Sequence, residues 1–236
     1  MGLTQTQEYY LQTMGIDVYW SRDRVIDDPV SNSDEVKTAF VPTPEVAVQE
    51  NEIWNALRER VAKCQQCELH RGRTQTVFGV GDHQADWLII GEAPGAEEDR
   101  QGEPFVGRAG KLLNSMLFAL GLQREQVFIA NILKCRPPNN RDPKPEEVVA
   151  CSSYLKEQID LLQPKIILAV GRIAAQNLMK TETPIGKMRG QRYQYADTGI
   201  PVVVTYHPAY LLRSPREKRK AWQDLQLAMR IYKETA

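Results

Sequence analysis

No stretch of the 236 residues approaches the ~18 consecutive apolar residues of a membrane span, so no bilayer-crossing function is expected. The start MGLTQTQEYY lacks both a basic cluster and an apolar core, which argues against a secretory signal. Met1-Gly2 with Thr6 fits the loose myristoylation pattern, yet no basic patch follows to supply the second anchor that stable attachment needs. A cytoplasmic protein is therefore expected. A Walker-type phosphate loop is missing as well, which disfavours a zinc-bound nucleotide hydrolase. Internal repeats are absent. So is net charge, with 30 Lys and Arg against 30 Asp and Glu.

That neutrality hides an asymmetry. Residues 1–51 carry 3 Lys/Arg and 9 Asp/Glu, whereas residues 52–236 carry 27 and 21. A mildly basic globule with an acidic tail permits nucleic-acid binding without demanding it. A chain of this length at 42% hydrophobic residues can bury one sizeable core and still carry a tail. The division falls near residue 52. Residues 8–20, EYYLQTMGIDVYW, form a short amphipathic aromatic segment, and the chain from Ser21 to about Gln49 is polar and proline-bearing, as in a flexible linker. The aromatic segment reads either as a strap packed on the domain or as a peptide that docks on a partner.

The domain is organised around residues 91–113, GEAPGAEEDRQGEPFVGRAGKLL. They follow the apolar run Trp87-Leu88-Ile89-Ile90, which reads as a buried strand. A strand breaking into Gly-Glu-Ala-Pro-Gly must turn sharply, and its glycines admit a close approach by backbone or ligand. Four acids (Glu97, Glu98, Asp99, Glu103) then crowd beside Phe105. The same composition also fits a solvated acidic loop with a packed Phe. Around it the pattern predicts a helix over Ile53, Leu57 and Val61, and strands near 76–80, 88–90, 126–133, 165–170 and 201–206. Further helices are expected near 109–120, 145–162, 174–179 and 215–232, with an irregular hairpin over 184–198. Strands alternating with helices imply a mostly parallel sheet covered on both faces, whose function lies beyond the carboxyl ends of its strands.

Two polar residues stand at such ends. Asn131 interrupts the run 127–133, where an amide must be satisfied or functional, and His207 follows the run 202–206. Four cysteines are spaced C-x2-C-x67-C-x15-C at positions 64, 67, 135 and 151. A C-x2-C pair is a common metal clip and disulfides are not expected in a cytoplasmic chain. Four ordinary buried cysteines, zinc and a [4Fe–4S] cluster all fit the spacing.

GEAPG with Glu-Asp and PFVGRAGKLL, the four cysteines in order, Asn131 in NILKCRPP, and the HPAYLLR loop at His207 together resemble the family 4, iron–sulfur uracil-DNA glycosylases over about residues 52–236. The resemblance implies a three-layer α/β/α sandwich on a mostly parallel four-stranded sheet. It implies a [4Fe–4S] cluster on Cys64, Cys67, Cys135 and Cys151. It also implies a monomeric, monofunctional DNA-repair hydrolase that flips deoxyuridine out of DNA and releases uracil. Phe105 then stacks on the base and Asn131 matches its O4 and N3–H edge, which cytosine does not offer. Glu92 and Ala93 line the pocket floor. His207 stabilises the departing anion. Glu98 and Asn140 position water, or Glu98 excludes a thymine methyl. Tyr210, Leu211 and Leu212 fill the gap left by the flipped nucleotide, and Arg213 meets phosphate.

Two departures from other branches narrow this. Ala93 stands where family 1 enzymes carry an Asp, and the Lys-Arg-Arg-Ile-His insertion of covalently trapping relatives is absent after Cys135. A different expectation comes from residues 7–20, which weakly resemble the peptide by which the clamp-loader psi subunit binds chi. That likeness suggests a glycosylase-fold accessory protein of the replication machinery, with weak or lost catalysis.

Overall fold

The computed structural model describes residues 44–235, Asp197 excepted, with side chains from Asn51 onward. The aromatic segment 8–20 and most of the proline-bearing linker lie outside the described residues. The first helix, α1 (Pro44–Ala62), opens at Pro44, ahead of the Ile53–Val61 stretch where helical spacing is read. Proline suits a first helical turn because its φ is preset and its missing N–H would have had no partner there. Its buried stripe is Trp54, Leu57 and Val61, not Ile53, which is 47% exposed. Both sets obey helical spacing; Trp54 wins by stacking on His83 at 4.2 Å and packing on Phe128.

Among the described residues six strands form one sheet. They are β1 (Val80–Gly81), β2 (Trp87–Gly91), β3 (Phe128–Asn131), β4 (Ile166–Val170), β5 (Arg192–Gln194) and β6 (Pro201–Thr205), in the order β1-β3-β2-β4-β6-β5. The central four are parallel, as expected, and each outer edge carries a short antiparallel strand. The expected strand at 76–80 shrinks to Val80–Gly81, with Gly79 before it and Gly81 at its end both at positive φ. The irregular hairpin resolves into a short helix, α6 below, and the β5–β6 pair.

Every residue of β2, β3, β4 and β6 is buried. Continuous apolar runs make this possible, because both faces are covered. Alternate side chains serve opposite layers. Leu88, Ile90, Ala130, Ile167, Ala169 and Val204 pack toward α1, α4 (Pro145–Leu162) and α5 (Arg172–Met179). Ile89, Ile129, Leu168, Val170 and Val203 pack toward α3 (Arg108–Ala119), α7 (Pro208–Arg213) and α8 (Lys218–Thr235). The remaining helices are α2 (Ala96–Gln101) and α6 (Ile185–Met188). Three of the four acids are therefore helical, and only Glu103 lies beyond α2 in the loop. Glu97, Glu98 and Asp99 fill the first turn of α2, where free N–H groups favour negative charge. Among the described residues no helix is long and apolar enough to cross a membrane.

Candidate active site

Parallel register sets the ends of the four central strands side by side: Gly91 pairs with Asn131, and Val170 with Thr205. Beyond them opens a cavity of about 780 Å³ lined by Glu92, Ala93, Glu98, Phe105, Asn131, Asn140, His207, Tyr210 and Arg213 among others. Two glycines make the closeness possible. A Cβ on Gly91 would lie 2.6 Å from Phe105 Cζ and collide with Asn131 Oδ1. Gly171, at φ +100° after β4, would place one 3.0 Å from His207 Cβ.

Phe105 is held in the left-handed region at φ 55° by its surroundings. Glu98 Oε1 accepts from the backbone N–H of Val106 at 3.1 Å and of Gly107 at 3.2 Å, clasping the loop to α2. Arg124 donates from Nη1 to the Phe105 carbonyl at 3.3 Å and from Nη2 to the Pro104 carbonyl. The Phe105 ring lies 5.5 Å from that of His207 at 28°, so the two form one wall.

Opposite donors and acceptors converge here. Asn131 is buried, and its Oδ1 has no hydrogen-bond partner among the described residues. A buried amide oxygen without a donor costs about 1–3 kcal/mol, which a ligand N–H would recover. His207 Nδ1 accepts the backbone N–H of Ala209 at 3.1 Å, capping α7. Burial pushes the imidazole down to about 4, with Arg213 acting the same way and Glu98 opposing. The ring is thus neutral near pH 7, and with Nδ1 accepting, its proton sits on Nε2 as a donor.

Glu92 is pushed up to about 7 by burial, with Asp142 adding and Arg172 opposing. A carboxyl with a raised folded value stabilises fully below its unfolded value near 4.5, and that support is lost as pH rises through 7. Glu92→Gln should therefore gain melting temperature relative to the parent at pH 8 and lose that advantage at pH 4.5. Paired melts at the two pH values check this, and the His207 contribution cancels in the comparison.

The other expected site residues divide. Asn140 is exposed at the cavity rim, at φ 53°, with Oδ1 accepting from Arg136 Nε at 2.8 Å. Ala93 lines the cavity and packs on the core. Tyr210 and Leu212 are 37% and 43% exposed. Leu211 is not beside them. At 1% exposure it packs with Phe105, Leu112 and Met116, anchoring α7, and cannot serve as a wedge.

All four cysteines line one small cavity between α1, the chain after β3, and α4. Arg73 Nη1 lies 3.1 Å from Cys135 Sγ, and the Lys134 N–H donates to Cys151 Sγ at 3.3 Å. These donors suit ionised sulfur. Among the described residues no group of three or more His, Cys, Asp or Glu side chains is arranged to hold a single metal ion.

Sequence reading missed Arg124, whose clamp spans about twenty residues of chain and carries no local motif. It missed Arg189 too, which pairs with Asp224 at 2.9 Å and lies over the Tyr206 ring at 5.1 Å, bracing the cavity wall.

The uracil DNA glycosylase superfamily model matches residues 78–226. The chain is 46% identical over 170 residues to the Type-4 uracil-DNA glycosylase of Archaeoglobus fulgidus, covering 70% of this chain and 85% of that protein. It is 42% identical over 185 residues to the Type-4 uracil-DNA glycosylase of Thermotoga maritima, covering 77% and 96%. For the Sulfurisphaera tokodaii protein of the same name the identity is 45% over 175 residues, covering 71% and 80%.

Proposed function

Since the chain belongs to the uracil-DNA glycosylase superfamily, alongside the type-4 enzymes, we propose that it hydrolyses the N-glycosidic bond of deoxyuridine in DNA and so starts repair of the damaged base. The observation that carries the residue assignments is the unpartnered Oδ1 of Asn131, buried at the end of β3 beside the Phe105–His207 wall.

Uracil enters flipped out of the strand, at a cost of a few kcal/mol. Phe105 takes its face, worth about 1–3 kcal/mol for a base on an aromatic ring. Asn131 accepts from N3–H and donates to O4. As the C1′–N1 bond breaks, its electron pair goes to the base and charge gathers on O2. The neutral His207 offers its Nε2–H there, where stabilisation grows with the charge. Water adds to C1′ and gives up a proton, balanced by the one the uracil anion takes up, with Asn140 at the rim and the second oxygen of Glu98 as the groups to orient it. Glu98 also holds the stacking loop through Oε1. Tyr210, Leu212 and Arg213 face the DNA.

Asn131→Ala is expected to slow uracil release by about 1–3 kcal/mol in barrier while DNA affinity stays near parental, because only the base edge loses a partner. A release assay on a uracil-containing oligonucleotide, with binding measured on the same DNA, checks it. Parental release would remove Asn131 from the pocket's chemistry.

Cys64, Cys67, Cys135 and Cys151 are the residues to hold a [4Fe–4S] cluster. The support is the shared cavity, the four thiol donors, the Arg73 and backbone donors to sulfur, and the likeness to type-4 enzymes. When bound, the cluster cross-links three parts of the chain. Protein purified without oxygen should be brown, absorb broadly near ~400 nm and carry about four irons per chain. A colourless protein with stoichiometric zinc would overturn this assignment.

A further inference from the structure

Between the cysteine cavity and the pocket lies Lys134, 1% exposed although it is a lysine. Its Nζ donates to the Asn131 carbonyl at 3.0 Å and to Gln158 Oε1 at 2.6 Å. Gln158 is itself fixed by donating from Nε2 to the Phe78 carbonyl at 3.0 Å. The backbone of Lys134 is pinned as well, its N–H on Cys151 Sγ and its carbonyl accepting from Val77 N at 2.8 Å. β1 pairs with β3 only at Phe128 and Ile129. The strand end carrying Asn131 therefore takes its support on that side from the lysine instead of from a neighbouring strand.

An ammonium is an expensive way to fill a core position, and an apolar side chain of similar length would fill it at lower cost. Stability alone does not call for it. What the ammonium alone supplies is a strong, directed hydrogen bond to the backbone of the residue that meets the base. We propose that Lys134 is the positioning residue of Asn131: clamped between the Asn131 carbonyl and the Gln158 amide, it fixes the angle at which the Asn131 side chain reads uracil. This rests on the role proposed above for Asn131. It also ties the pocket to the cysteine site through one residue, since the backbone of Lys134 holds Cys151 while its side chain holds Asn131.

The test compares the parent with Lys134→Met, Gln158→Met and Asn131→Ala, each assayed as full-length protein with iron content and melting temperature measured. Three quantities are read: single-turnover uracil release, inhibition by free uracil, and affinity for DNA bearing a stable abasic-site analogue. Lys134→Met should release uracil about 10- to 100-fold more slowly, the scale of a reading group displaced by about an ångström. Free uracil should inhibit it about tenfold more weakly, with abasic-DNA affinity unchanged. A lysine that merely stabilises the fold would lower the melting temperature without moving uracil inhibition in the folded protein. If Lys134→Met keeps its iron and shows parental release and inhibition beside a defective Asn131→Ala, the inference is overturned while the pocket assignment stands. If Asn131→Ala is itself parental, both fall. Should Lys134→Met fail to fold, Gln158→Met decides. Weakened uracil inhibition supports the clamp, and parental inhibition overturns it.

Discussion

His207→Ala is expected to raise the barrier to uracil release by about 2–4 kcal/mol, the usual scale for losing one stabiliser of a developing anion. The size follows from what the imidazole already is before substrate arrives. Its Nδ1 is spent on the Ala209 N–H, its pKa is pushed down to about 4, and its remaining proton sits on Nε2. No proton has to be gained and no tautomer chosen during the reaction. Two other contributions ride on the same side chain, the cap of α7 and the wall against Phe105 at 5.5 Å. His207→Asn separates them, because an Asn oxygen can still accept from the α7 backbone. Its melting temperature should return toward the parental value while single-turnover release stays as slow as in His207→Ala. Equal recovery of rate and stability would show that the cap, not the Nε2 donor, carries the effect.

Gly110→Ala should destabilise the protein by about 3 kcal/mol or more, at the high end for a single added methyl. Gly110 lies in the first turn of α3, against the backbone of Phe105. A Cβ there would overlap the Phe105 carbonyl group and come within 3.0 Å of its Cα. A side chain would yield to such a contact, but backbone held by Glu98 and Arg124 cannot. Relief therefore requires α3 to move off or the loop to lift. Lifting the loop takes Phe105 out of its left-handed turn and away from His207. Chemical denaturation checks the stability, and weakened inhibition by free uracil in the surviving folded fraction checks the displacement of Phe105. A variant with parental stability would mean that α3 shifts freely.

The sheet was legible because its four central strands are uninterrupted apolar runs, and the pocket because Gly91, Asn131 and His207 each break such a run at its end. The cysteines were legible as a set from spacing and family likeness, and they do line one cavity. Elsewhere the pattern did not suffice. Leu211 and Leu212 are chemically identical, and neighbours on a helix point about 100° apart. Only the seating of α7 on α3 decides that Leu211 is buried and Leu212 exposed. Ile53 and Trp54 posed the same ambiguity on α1. The acids of α2 suggested a loop by composition, although charge at a helix start favours the helix. Lys134 was invisible for the opposite reason. A lysine is read as surface unless its partners are known, and those partners lie 3 and 24 residues away.

The order β3-β2-β4-β6 sets the strand end carrying Asn131 three inter-strand steps from the strand end that leads, two residues on, to His207. At ~4.8 Å per step these two strand ends stand roughly 14 Å apart along the sheet, before twist. The spacing of the strand ends is gauged by backbone hydrogen bonding in the buried sheet, whereas His207 stands two residues beyond β6 and is held by its cap on α7. On the roles proposed above, a base is admitted or refused by how far the Asn131 and His207 side chains reach into the cavity. On that proposal, retuning the protein toward a larger or smaller base is a matter of side-chain length at positions 131 and 207 and of what Phe105 leaves between them, over strand ends whose spacing the sheet holds fixed.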